Sequence, residues 1–215
     1  QELEGKQREI SPLITRLDTI DIKGKLEISK QKQTCNISIA NHCGNIGINA
    51  ELANKNNFKL TVSTTGIDAN KILSDNGQHT IGSFAFNTKG HGVLRNKHNE
   101  PQMEINTILS HLHINGNDYS NAHINTNISK DNISANAFID DVSGSIKTQI
   151  KWQKLNANHI TANIDIDSMM TERLGLGNRY PDKSLSLTSD IELHGTCLDD
   201  IAGEINISNA SLKST

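Results

Sequence analysis

His111 and His113 stand two apart, which on a β-strand puts both imidazoles on one face. Such a pair binds a metal when a third ligand arrives from a neighbouring strand. Nothing in the sequence specifies that ligand, so the pair reads as polar-surface histidines, and His91 and His98, which flank a loop, read the same way. Asp140-Asp141 and Asp199-Asp200 are adjacent acids of the kind that general acid/base chemistry uses. Neighbours on a strand point to opposite faces, however, so either pair acts together only where the backbone turns, and turn residues are the better description. Cys35, Cys43 and Cys197 form no Cys-x-x-Cys pair, which gives zinc and thioredoxin-type readings little support. Cys35 and Cys43 could face each other across a hairpin. The odd count leaves at least one thiol unpaired, and small apolar side chains is the simpler reading. Asn-Ile-Ser at 36, 127, 132 and 206 is formally a glycosylation acceptor, but an Ile between polar residues is also what an alternating strand repeats. No nucleophile elbow, phosphate loop or zinc-helix motif occurs. The sequence therefore points away from an enzyme and calls for no cofactor and no metal.

The elements that carry these residues are strands. Ile20, Ile22, Gly24, Leu26 and Ile28 alternate with polar residues, and the same period of two recurs along the chain. It marks Cys35-Ile37-Ile39, Ile46-Ile48-Ala50-Leu52, Phe58-Leu60-Val62, Phe84-Phe86 and Leu112-Ile114. It returns at Ile124-Ile128, Ile133-Ile139, Ile146-Ile150-Trp152, Ile160-Ile166, Leu185-Leu187-Ile191-Leu193 and Ile205-Ile207. Turn clusters such as Asn115-Gly116 and Lys130-Asp131-Asn132 separate many of these runs. The expectation is an all-β chain, a meander of roughly a dozen half-buried antiparallel strands. The exception is the N-terminus, where Ile10, Leu13, Ile14 and Leu17 recur at helical spacing behind Ser11-Pro12 and predict a short amphipathic helix or linker over 1–19.

Composition fits a sheet that is apolar on one face only. Hydrophobic residues make up 34% and aromatics 3% of the 215 residues, too little for a thick closed core. The net charge of −3 provides no basic field for nucleic acid, and no apolar run reaches the roughly 18–20 residues of a membrane span. A dozen strands at about 4.8 Å each extend some 55–60 Å, which is long for a compact sandwich and natural for a long curved trough. Thr64–Asp75 and Thr161–Glu172 match in pattern, each leaving a strand through Ile-Asp toward a short apolar turn that could be helical. Each is followed by a strand ending in His-Gly, at 91–92 and 194–195, with a longer loop, RLGLGNRYPDK, in the second copy. Two β-meander units are expected, 20–100 and 101–215, joined continuously at a seam near HNEP (98–101).

The turn TGIDANKILSD, its copy TANIDIDSMMTE and the stretch LHINGNDYSNAHINTNISKDNISANAFIDD resemble the repeated segments of the TamB and AsmA-like family over most of residues 20–210. That resemblance implies a U-shaped sheet, a β-taco with an apolar concave groove. It implies a periplasmic stretch of a diderm-bacterial envelope protein whose inner-membrane anchor lies outside this sequence, as the first residue, Gln1, and the ending NASLKST also suggest. It further implies movement of phospholipid toward the outer membrane and support of outer-membrane protein assembly, with a barrel assembly partner met through regions outside this chain. The residues expected to line the groove against acyl chains are Ile37, Ile39, Ile46, Ile48, Leu60, Val62, Phe84, Phe86, Leu112, Ile114, Ile124, Ile128, Ile150, Trp152, Leu185, Leu187, Ile191 and Leu193. The competing expectation is a structural or adhesive β-repeat module of a surface protein, whose apolar stripe is only its core. A carbohydrate-binding sandwich would want more exposed aromatics than one Trp and two Tyr.

Overall fold

The computed structural model describes residues 19–72, 81–95, 100–114, 116–154, 157–196 and 200–215. The helix expected over 1–19 and Cys197 lie outside, or all but outside, those residues. The rest is strand: β1 (Asp21–Ile28), β2 (Lys32–Asn41), β3 (Gly44–Ala53), β4 (Asn57–Asp68), β5 (Ile81–Val93), β6 (Gln102–Ile114) and β7 (Asn117–Tyr119). There follow β8 (Ala122–Ser129), β9 (Asn132–Asp141), β10 (Gly144–Lys154), β11 (Asn158–Met170), β12 (Lys183–Gly195) and β13 (Ala202–Ser214). One turn of helix, α1 (Ala69–Ile72), leaves β4. All thirteen strands belong to one antiparallel sheet in sequence order, with β7 hanging on the end of β6 beside the main path. The edges β1 and β13 do not meet, so the sheet is open, a single curved meander.

Among the described residues no second layer covers it. The accessible surface is 15058 Å², about half again the ~9,800 Å² that size scaling gives a closed globule of 23.6 kDa. Among the described residues the buried apolar side chains are Cys43, Ile67, Ala69, Ala85, Ala122 and Met169. All sit near one end of the strands, hereafter the closed end. At mid-strand, side chains such as Ile37, Ile48, Leu60, Val62 and Ile124 are half-buried.

The internal repeat is a repeat of strands. β1 to β6 and β8 to β13 are two six-strand units offset by about 100 residues, and β7 is the additional strand between them. Ser29 Oγ donates to Lys32 O at 2.8 Å, and Ser129 Oγ to Asn132 O at 3.3 Å. The β2–β3 turn is held by Cys43 N–H on Asn41 Oδ1 (2.9 Å), the β9–β10 turn by Ser143 N–H on Asp141 Oδ1 (2.6 Å). β7 lies between the two six-strand copies.

Two expectations are corrected. Cys35 lies within β2, opposite Ala50 of β3, and Cys43 in the turn that follows β2, so the two do not face each other across the hairpin. Both thiols are free. The helical turn occurs only in the first unit. In the second, β11 runs on through Met170 into a string of turns at 171–180, because the longer loop takes the chain toward β7 instead.

Candidate functional site

Strand register sorts the side chains into rows that cross the sheet at right angles to the strands. One row runs Gly24, Ile37, Ile48, Val62, Thr88, Thr107, Ile124, Ala137, Thr148, Ile164, Ser189, Ile207. The next, on the same face, runs from Leu26 and Cys35 through Leu60, Ile105, Ile150 and Ile191 to Ile205. A third runs from Ile28 through Leu52, Phe58, Met103, Ile128, Ile133, Trp152, Ile160 and Leu193 to Gly203. Each row has one residue from each of twelve strands, and none of the 36 positions carries an ionisable group other than the Cys35 thiol. At the chain's 21% charged residues, about eight charged side chains would fall there by chance. Two of the few polar members, Thr88 and Thr107, partner each other through their hydroxyls at 2.9 Å. A depression of about 250 Å³ indents the third row, lined by Trp152, Ile160, Leu193 and Ile201.

The opposite face is polar. Its central row is mostly amide: Asn36, Asn49, Asn106, Asn125, Asn136, Gln149, Asn163 and Asn206 share it with Lys25, Thr61, Lys89 and Asp190. Asn125 donates to Asn106 Oδ1 at 2.5 Å and Asn163 to Asp190 Oδ1 at 2.8 Å. The row beside it carries the charges, among them Glu51, Lys59, His91, Glu104, Lys151 and Glu192. His91 lies 3.7 Å from Glu104, and His159, on the same face, lies 2.9 Å from Glu192. This is the alternation of a sheet with one face in water and one out of it.

All eighteen residues expected to line the groove stand on the apolar face. The register adds Met103, Ile105 and Leu109, whose strand begins ten residues before Leu112. They were hidden by a β-bulge near Ser110, which gives β6 one extra residue and moves its apolar positions from odd to even numbers. The same change of parity occurs in β4 between Thr64 and Ile67, in β11 at Ser168 (φ 53°), and in β13 at Asn209 (φ 52°). Bulges bend a strand toward one side. These four, two in each unit, lie near the closed end, as does a further register shift in β5 between Ile81 and Phe84.

A clasp spans that end. Arg173 Nε donates to Ser143 Oγ at 3.1 Å, its Nη2 lies 3.6 Å from Asp141 Oδ2, and its Nη1 donates to Asp118 O. The guanidinium sits 5.4 Å over the Tyr119 ring, whose hydroxyl donates back to Arg173 O, while Asn117 Nδ2 donates to Glu172 O at 3.1 Å. Tyr119 shares the apolar face with Leu112 and Phe84, so the clasp lies over that part of the face. On the other face His113 Nδ1 meets Asp118 Oδ1 at 2.9 Å, and this hydrogen bond holds the Asp118 carboxyl below its usual range. Ser83 Oγ lies 2.8 Å from His111 Nε2, and among the described residues no cluster of metal-ligating groups forms. Asp141 accepts a turn N–H, and Asp200 accepts the N–H of Thr196 at 2.8 Å. Arg173→Met keeps the length but removes the donors. It is expected to lower stability by about 2–3 kcal/mol, the worth of charge-assisted hydrogen bonds in a mostly buried site, read by chemical denaturation. A loss under 0.5 kcal/mol would mean the clasp is ornamental.

No family model matches the chain, and comparison with curated proteins and with solved structures likewise finds no match.

Proposed function

We propose that this chain shields the acyl chains of phospholipid on its apolar face, as a periplasmic segment of a TamB- or AsmA-like envelope protein anchored in the inner membrane. In this reading it is a non-enzymatic conduit that carries lipid toward the outer membrane and thereby supports outer-membrane biogenesis and protein assembly. The observation that carries it is the trio of uncharged rows crossing twelve strands without a covering layer among the described residues. Twelve strands by three rows span about 1,000 Å², well above the few hundred Å² of contiguous apolar surface usual on a monomer. A largely hydrocarbon surface without charges suits many acyl chains rather than one shaped ligand, and each methylene taken from water contributes roughly 0.8 kcal/mol. The rows run across the strands, so a chain lying along them moves from strand to strand over chemically similar ground.

Native mass spectrometry of the chain purified from a diderm host is expected to show bound phospholipid. A photo-crosslinking residue at Ile128 or Leu187 is expected to capture lipid, whereas one at Asn127, on the opposite face, is not. Equal capture from both faces, or none from either, would favour the competing reading of a structural or adhesive module.

A further inference from the structure

The strand ends opposite the clasp carry a rim of cations. Lys30 stands between β1 and β2, Lys55 between β3 and β4, Arg95 just after β5, Lys130 between β8 and β9, and Lys154 at the last residue of β10. All five are exposed. In an antiparallel meander these positions share one end of the sheet and recur at every second strand, about 10 Å apart. Backbone hydrogen bonds hold them in line. Asn54 N–H donates to Gln31 O at 2.7 Å, Leu94 N–H to Asn56 O at 2.9 Å, and Lys154 N–H to Asp131 O at 2.8 Å. Asn56 also bonds the N–H and the carbonyl of Arg95, at 2.7 and 2.6 Å. Among the described residues the carboxylates beside this rim are Glu100, which lies 3.3 Å from Lys130, Asp131, and Asp200 next to β13. No ion pair among the described residues takes up Lys30, Lys55, Arg95 or Lys154. The clasped end differs: Lys71 lies 3.6 Å from Asp68 and Arg173 3.6 Å from Asp141, and Asp118, Glu172 and Asp182 add carboxylates there.

The rim borders the third uncharged row. Trp152, two residues before Lys154, lines the depression of about 250 Å³ with Ile160, Leu193 and Ile201. An indole between hydrocarbon and water is the side chain favoured at a bilayer interface. A molecule that fits both surfaces at once is apolar over most of its length and anionic at one end. We infer that the rim takes the phosphate of phospholipid through its Lys and Arg donors, while the acyl chains lie on the uncharged rows beside it. The inference rests on the acyl-shielding reading above and adds the head group to it. A lipid moving across the strands then meets a cation at every second one, so its phosphate stays paired and in water while the tails change strands.

The whole chain, stripped of lipid and titrated in detergent micelles, tests this by native mass spectrometry with two probes. Dioleoylphosphatidylglycerol and dioleoylglycerol carry the same acyl chains, and only the first has a phosphate. The phosphate lipid is expected to bind at least tenfold more tightly. Replacing the five rim cations together (Lys30→Gln, Lys55→Gln, Arg95→Gln, Lys130→Gln and Lys154→Gln) should remove at least tenfold of that affinity and leave dioleoylglycerol binding unchanged. The matched control removes five cations from the polar face (Lys25→Gln, Lys59→Gln, Lys89→Gln, Lys147→Gln and Lys151→Gln) and should change either lipid less than twofold. Wild-type binding of both lipids with equal affinity overturns the rim and leaves acyl shielding standing. Equal loss of both lipids from the rim variant, or equal loss of the phosphate lipid from the control, overturns it too. So does co-sedimentation with phosphatidylglycerol vesicles that leaves no lipid on the chain after gel filtration, which would make the rim a membrane-docking surface. Binding of neither lipid defeats the acyl-shielding reading and this inference together.

Discussion

A single carboxylate at Ile128 is expected to abolish phospholipid capture while the sheet stays folded. Ile128 sits in the third uncharged row between Met103 and Ile133, half-buried and with no layer of described residues above it. Without lipid, a glutamate there keeps its carboxylate in water, so folding loses only the packing of one isoleucine and a strand-propensity difference, about 1 kcal/mol together. With lipid in place, the same carboxylate must either lie under hydrocarbon, at a cost of several kcal/mol, or push the acyl chain away. Each 1.4 kcal/mol is a factor of ten in binding, so Ile128→Glu should reduce captured phospholipid at least thirtyfold. Asn127→Glu is the matched control: the same charge one residue earlier, on the amide face, should leave capture unchanged. Circular dichroism of both variants, with lipid quantified by mass spectrometry, makes the comparison. A folded Ile128→Glu protein that retains wild-type lipid would sink the conduit.

The second large effect is structural. Gly144 holds φ at 124°, and a Cβ there would stand 2.5 Å from Met169 Cα and 2.6 Å from its amide nitrogen. Met169 is fully buried, and the next residue, Met170, donates its N–H to Ser143 O at 2.8 Å. An added methyl has nowhere to go unless β10 parts from β11. Gly144→Ala should lower stability by about 3–5 kcal/mol, from backbone strain and overlap together, or roughly 10 °C in Tm for a chain of this size. Gly116→Ala separates the two causes. Its φ of 78° is equally left-handed but nothing lies within 4 Å, so about 1 kcal/mol is expected. Gly44 repeats the crowding of Gly144 in the first unit, against Gly66 and Ile67, and Gly44→Ala should behave alike. Thermal melts of the three variants that fall within 2 °C of one another would contradict this account of the closed end.

Fold class and the identity of the apolar face are legible in the sequence because a strand's period of two survives wherever the backbone stays regular. Ile37, Ile48 and Val62 announce both their strands and their shared face. Bulges defeat that reading: Leu109 and Leu112 lie on one face although three residues apart, and no local propensity marks Ser110 as the residue that intervenes. The clasp was equally out of reach. Arg173 sits in a loop, RLGLGNRYPDK, whose composition says only that it turns. Its partners Asp118, Tyr119 and Ser143 come from 30 to 55 residues earlier in the chain. The cysteines mislead for a related reason, since eight residues could as well cross a turn as run along one strand. β7 was equally hard to see, being three residues of ordinary polar composition.

A sheet whose spatial order is its sequence order is nearly a one-dimensional object. Each strand is stabilised by the strand before it and the strand after it, so stability accumulates link by link, as in repeat arrays, rather than as a property of one shared core. Tension applied between residues 21 and 214 would then be carried in series, and strands should peel from either edge in steps of one β-ladder. The contact of β7 with Glu172 and Arg173 is the place where this chain of links folds back on itself, bypassing β8, β9 and β10. Under load, those three strands are the ones that can come out only after the clasp has opened.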